Sequence, residues 1–290
     1  YWTKSYRDYR PYAVSRYRGA KKGLVDDATI LAAGYSKSEL GILRANSLKE
    51  SGGTFGAINT WDNQIVSWGM AQFAGHAGTL AVLLASLKED ERSAAAYRRW
   101  FSDNGIDVDY GDYPWKDKTK KGWHVVVSAD GQTFRGDDGW EAIRQRPAMI
   151  GAFLLAGNDP SIALGQILFW RSSFLSRAIR KIIGKDKKAG RQGARALAFM
   201  TAERTLALIV RLNNWMPAYV VKWCDRFLAE YAEAHPDARV YDPKRWDQTI
   251  EDWIAERIMK ERREVKRGDY DDYALDLSRE RGSFVVGSDE

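Results

Sequence analysis

Residues 36–72, SKSELGILRANSLKESGGTFGAINTWDNQIVSWGMAQ, carry the reading of the fold. Ser36 followed by Glu39 is a capping box, in which each side chain satisfies an orphan amide of a first helical turn. Leu40, Leu43 and Leu48, with Ile42 and Ala45 beside them, recur at helical spacing and predict a helix that runs to about Glu50 and stops at Gly52-Gly53. Glu50 then falls in the last turn, at the rim of whatever the helix packs against. Residues 54–68 mix β-branched and aromatic residues with Asn59, Asp62 and Asn63, which predicts a short irregular hairpin.

Outward from this stretch the chain turns helical. The segment from Ser67 through "GMAQFAGHAG" predicts a return to helix, with apolar helices over 77–89 and 91–102. "DNGIDVDYGDYPWKDKTKKG" reads as a polar loop. Val125, Val126 and Val127, an Ala129-Asp130-Gly131 turn, and Thr133-Phe134 predict a hairpin over 123–135. From 139 onward the pattern is helical, with Asp159 as N-cap, Pro160 at the first helical position and Gly184 as a stop. Further helices are expected over 191–213, 216–234 and 246–265, with "LNNWMP" separating two of them. Residues 171–191 read as a core helix with a basic outer face, or as a helix lying on a membrane surface.

The expected fold class is α+β, predominantly α-helical, with small β hairpins and a long helical C-terminal half. Residues 1–35 read as a basic, Tyr-rich arm holding one short helix near 27–33. Residues 36–265 read as one domain, and 266–290 as a charged, loosely packed extension.

The 290 residues include 45 Lys or Arg and 39 Asp or Glu, for a net charge of +6. That excess permits attraction to anionic polymers without singling one out. Neither nucleic acid nor membrane insertion is expected. One cysteine, Cys224, cannot form an internal disulfide or a cysteine zinc site. His76, His124 and His235 lack metal-ligand spacing, so no metal or cofactor is expected. The acidic run Asp107–Asp112 lacks the spacing and terminal Glu of a calcium loop. No apolar region resembling a signal peptide stands at the start, and no apolar run reaches the roughly 20 residues that span a bilayer.

Cleaving a glycosidic bond needs an acid to protonate the leaving oxygen and a second carboxylate to activate water or stabilise positive charge. Glu50, at an apolar helix end, suits the acid, because such a setting favours the protonated form. Asp62, among Asn residues and backbone amides, suits the group that stays charged. Ser67 is the hydroxyl candidate for holding the attacking water. Asn59, Thr60, Trp61 and Gln72 are candidates for sugar contacts, with turn and core roles as the alternative. Asn213, Asn214 and Trp215, at a helix junction, are candidates for the far side of a groove, or an interhelical cap.

The order of Glu50-Ser51-Gly52-Gly53, Asp62, Ser67-Trp68-Gly69 and Gln72 resembles the lysozyme-like superfamily, over about residues 36–90. It is most similar to muramidase domains of bacterial cell-wall-degrading effectors and phage lysins, related to phage-type and goose-type lysozymes and chitosanases. The resemblance implies a lysozyme-like fold, with Glu50 as proton donor, Asp62 as base or charge stabiliser and Ser67 positioning water. It also implies peptidoglycan glycan strands as substrate, action in the periplasm or wall of a target cell after synthesis in the cytoplasm, and a cognate immunity protein as partner. A lytic transglycosylase using Glu50 alone, a chitosanase, and a non-catalytic wall- or membrane-binding toxin module remain open. The +6 charge matches the cationic polymer chitosan poorly.

Overall fold

The computed structural model describes residues 23–112, 121–186, 190–266 and 276–288. Helix α1 (Asp27–Ala32) lies within the expected N-terminal arm, the rest of which, residues 1–22, falls outside the described residues. Helix α2 (Lys37–Ser51) begins on the expected capping box. The Ser36 N–H donates to the Glu39 carboxylate at 3.1 Å, and the Glu39 N–H donates to the Ser36 hydroxyl at 3.0 Å. Its buried stripe runs through Glu39, Leu43 and Asn46, and Glu50 continues it at helical spacing, half-buried. Leu48, expected on the apolar face, falls off that stripe and is 61% exposed. Helix α2 ends where expected, with Gly52 and Gly53 donating to the carbonyls of Leu48 and Ser47 at 3.0 and 3.1 Å.

The fold is α+β and mostly helical. The chain forms two compact units, as far as its residues are described. One holds Ser47–Phe169; the other holds Asp27–Asn46 and Trp170–Glu290. The boundary therefore falls inside α2.

In the first unit, β1 (Ile58–Asn59), β2 (Ser67–Trp68) and β3 (Phe73–Ala74) make a small antiparallel sheet in that order. Ile58 pairs with Trp68 and Asn59 with Ser67; Trp68 then pairs with Phe73 and Ser67 with Ala74. The expected hairpin thus gains a third strand where a helix was expected, and α3 (Thr79–Glu89) begins only after it. Helix α4 (Ala94–Trp100) is shorter than the expected 91–102.

The "DNGIDVDYGDY" loop is a correction. Residues Ile106–Asp112 form strand β4, paired throughout with β5 (Lys121–Ala129) from Ile106 opposite Val127 to Asp112 opposite Lys121. Ile106 and Val108 alternate into the core. The intervening Asp107 accepts from Lys88 at 2.8 Å and from the Tyr97 hydroxyl at 3.0 Å, and Asp109 pairs with Arg135 at 3.2 Å. Those partners satisfy acids that made the strand look like loop. Residues 113–120 of the same segment lie outside the described residues. Strand β6 (Gln132–Arg135) completes the expected hairpin.

Helices α5 (Gly136–Arg144), α6 (Pro147–Ala156) and α7 (Pro160–Trp170) finish this unit. Asp159 caps α7 as expected, accepting from the Ser161 N–H at 3.0 Å, with Pro160 as the first helical residue. The core centres on Trp68, Phe101 and Phe153, whose rings meet edge-to-face 5.0–5.7 Å apart. Fully burying side chains of this size stabilises by about 2–3 kcal/mol each. No single described helix is long and apolar enough to cross a membrane.

In the second unit the expected helix to Gly184 is interrupted. A π-helical turn at Arg171–Leu175 leads to α8 (Ser176–Ile179), and Ile182–Ile183 form β7 against β8 (Ala194–Arg195). The β-branched Ile pair finds strand partners: Ile183 is buried, and the Ala196 N–H donates to the Lys181 carbonyl at 2.7 Å. The expected 191–213 helix divides into α9 (Ala196–Phe199) and α10 (Glu203–Trp215). It breaks because the Thr201 and Ala202 N–H groups donate instead to the buried Glu251 carboxylate, at 2.8 and 2.7 Å. Helix α10 continues through Asn213-Asn214-Trp215, and Pro217 opens α11 (Pro217–Ala234), followed by α12 (Gln248–Lys266). Residues 276–288 are held, not loosely packed: Arg281 reaches Glu251 at 2.6 Å, and Phe284 is buried with its N–H on the Thr201 carbonyl at 2.9 Å.

Candidate active site

The loop between β1 and β2 is built around Asp62. One carboxylate oxygen accepts from the Asn59 side-chain amide at 3.0 Å, and the other accepts from the Gln64 N–H at 2.8 Å. The Asn59 side-chain oxygen accepts from the Trp61 N–H at 3.2 Å. Asn59 and Asp62 thus lock the turn from both ends, as Asn and Asp side chains do when they bond to nearby backbone.

Ser67 is the direct ladder partner of Asn59, so the two side chains share one face of the sheet. Asn59, Trp61, Asp62 and Ser67 are therefore brought together. Ser67 is only 4% exposed, so its hydroxyl is too recessed to meet a sugar ring. Trp61 is 40% exposed and presents a ring to solvent. Glu50 belongs to the same unit, half-buried in the last turn of α2. The Ser51 hydroxyl accepts from the Thr54 N–H at 3.2 Å, turning the chain from Glu50 toward β1.

Five of the candidate groove residues have the alternative surroundings, turn, core or helix packing, that the sequence left open. Thr60 is fully buried, so no ligand reaches its hydroxyl. The Gln72 amide nitrogen donates to the carbonyls of Ala57 and Gly69, both at 3.1 Å, and so braces the sheet. Asn213, Asn214 and Trp215 belong to the second unit, where Asn213 and Trp215 meet partners on neighbouring helices. Asn213 donates to the Phe174 carbonyl at 3.3 Å, and the guanidinium groups of Arg211 and Arg262 lie over the Trp215 ring at 4.8 and 3.8 Å.

Gln166, on α7, was missed by sequence reasoning. Fully buried, it accepts from the Met70 N–H at 3.0 Å and donates to the Phe55 carbonyl at 3.1 Å, clamping both ends of the sheet-bearing segment. Gly69 is fixed by the same residue: its φ is +87°, and a Cβ there would lie 2.4 Å from the Gln166 side-chain oxygen. A single buried Gln in an apolar helix was the available signal.

Ile65 and Gln72 flank β2 with φ of +66° and +51°. A β-branched residue in the left-handed region is strained, by on the order of 1–3 kcal/mol, and such strain clusters at functional sites. Ile65 is held there because its N–H donates to the Asp62 carbonyl at 3.2 Å. Beside this loop, the His76 N–H donates to the Gln64 carbonyl at 3.0 Å, and the His76 ring lies 3.1 Å from Asp137. Among the described residues, no group of three or more His, Cys, Asp or Glu could hold a metal ion. Burial pushes the Cys224 thiol up to about 12, with the Asp225 charge adding to it, so Cys224 is not a nucleophile at neutral pH.

The arrangement offers a carboxylate fixed by two donors, a recessed hydroxyl across the ladder, an exposed aromatic ring and a half-buried acid at a helix end, all on one unit with a strained connection. Comparison with known proteins finds no family model, no curated protein and no solved structure that matches the chain.

Proposed function

We propose that this chain is a glycoside hydrolase that cleaves peptidoglycan glycan strands. Glu50 protonates the leaving oxygen, and Asp62, with Ser67, positions and activates the attacking water. The observation that carries the reading is the fixation of Asp62 by Asn59, whose ladder partner is Ser67. A water-directing carboxylate must hold one orientation through the reaction, and two donors on a strained loop supply that. Trp61 supplies a flat apolar face for a sugar ring. Acting in the wall or periplasm of a target cell, and being held in check by an immunity protein over the Asp62 loop, belong to the same proposal.

Mass spectrometry of digested peptidoglycan tests it. Hydrolysis through Asp62 and Ser67 releases muropeptides with reducing ends. Anhydro ends would replace it by a lytic transglycosylase that needs Glu50 alone, and release from chitosan but not from peptidoglycan would assign a chitosanase.

A further inference from the structure

Residues 177–195 hold eight Lys or Arg and one Asp, a net charge of +7 against +6 for the whole chain. The described cations of this run lie on or beside the β7–β8 ribbon and the short helix α8 that leads into it. Backbone pairing sets Ile182 opposite Arg195 and bonds Ala196 to Lys181, while Arg177 lies one helical turn before Lys181. Arg177, Arg180, Lys185 and Arg195 are exposed and Lys181 is half-buried. Among the described residues, none of these five cations lies within ion-pair distance of a carboxylate.

The nearby acids are engaged elsewhere. Asp186 pairs with Arg191 at 3.0 Å, and the Arg191 guanidinium also lies 3.8 Å over the Tyr241 ring. Asp225 accepts from the Gly184 N–H at 2.6 Å. Burial, and then the charge of Arg177, hold the Lys181 ammonium below its usual range. At the centre of this group Ile182 is 43% exposed, a large apolar side chain sharing a face with Arg195.

We propose that the β7–β8 ribbon is a docking surface for an anionic phospholipid bilayer, with Arg177, Arg180, Lys181, Lys185 and Arg195 on the headgroup phosphates and Ile182 at the acyl boundary. Long cationic side chains around a single apolar residue match a layer whose phosphates lie above hydrocarbon. A soluble phosphate polymer would meet the cations equally well but gives Ile182 nothing to bury against. Docking of this kind is peripheral and consistent with the absence of any single described helix long and apolar enough to span a membrane. It is independent of the glycosidase reading, because no glycan takes part.

The test is co-sedimentation of the full chain with vesicles of phosphatidylglycerol and phosphatidylcholine, against vesicles of phosphatidylcholine alone. The expected result is binding to the anionic vesicles that weakens with salt. Each cation neutralised in Arg180→Gln, Lys181→Gln and Arg195→Gln should weaken it roughly fivefold at low salt. Ile182→Ser should weaken binding severalfold while leaving its salt dependence unchanged. Thermal unfolding of each variant separates a lost surface from a lost fold. Binding by the triple variant as tight as wild type would overturn the proposal, as would capture of a single-stranded oligonucleotide without binding to the anionic vesicles.

Discussion

The Asn59 side-chain amide donates to the Asp62 carboxylate at 3.0 Å, while the backbone of Asn59 faces Ser67 across the β1–β2 ladder. One residue thereby fixes both the carboxylate and the strand that carries the hydroxyl. Asn59→Ala should lower turnover on peptidoglycan by about 10- to 100-fold, the size of a lost hydrogen bond to a charged group. Steady-state kinetics should show the loss mainly in kcat. An unchanged kcat would mean that the Asn59 bond does not orient Asp62 for the reaction.

Trp61 offers an exposed ring next to this pair. Trp61→Ala should raise KM by about 3- to 10-fold, as expected for one lost ring-stacking contact, with kcat nearly unchanged. Binding of chito-oligosaccharide or muropeptide probes followed by Trp fluorescence gives the same comparison without turnover.

Gln166 bonds to the backbone on both sides of the sheet-bearing segment. Gln166→Leu keeps the volume but leaves the Met70 N–H and the Phe55 carbonyl buried without it, which should destabilise the first unit by about 2–4 kcal/mol. Urea unfolding followed by the fluorescence of buried Trp residues measures this. A change within experimental error would show that the clamp is replaceable.

Glu251 is buried and gathers the Thr201 and Ala202 amides and the Arg281 guanidinium. Removing one partner of a buried pair costs about 3–5 kcal/mol, so Glu251→Ala should unfold the second unit at lower temperature. It should also release residues 276–288 to proteolysis. A tail as resistant as in wild type would mean that its other bonds, such as those of Ser278 and Ser283 to Glu203, hold it without Glu251.

Asp159 gives a pH signature. Burial raises its carboxyl, but the Trp100 indole N–H, the Ser161 hydroxyl and backbone amides outweigh burial and hold it below the ordinary carboxylate value. A depressed carboxyl contributes stability that is fully present above the unfolded value of about 3.9 and is lost as pH falls through the lower folded value. Urea midpoints measured from pH 6 down to pH 2 should therefore fall more steeply below about pH 4 in wild type than in Asp159→Asn. Parallel curves would remove Asp159 from the acid sensitivity.

Local signals carried much of the fold. The Ser36–Glu39 box, the Gly52-Gly53 stop, the Asp130-Gly131 turn and the Asp159-Pro160 start each work through near neighbours, and each stands where its chemistry places it. Failures came where distant partners decide. Asp107 and Asp109 look like loop until Lys88, Tyr97 and Arg135 satisfy them in a strand. The break at Thr201-Ala202 needs a carboxylate some fifty residues away in Glu251. In the site, the sequence pointed to the Asn59–Asp62–Ser67 grouping because its bonds are short-range. For Thr60 and Gln72 the sequence left sugar contact and turn or core roles both open, because burial and a left-handed turn are set by the whole unit. Gln166 lies about a hundred residues from the backbone it holds, beyond any local pattern.

The central claim is that Glu50 donates the proton that lets the glycosidic bond break. The most direct measurement is the rate of reducing-end release from purified peptidoglycan by wild type and by Glu50→Gln, which keeps the shape and removes the acidic proton. The expected result is a loss of about 10²- to 10⁴-fold, the usual worth of a general acid, with thermal unfolding unchanged. A Glu50→Gln variant that releases reducing ends as fast as wild type would contradict the account.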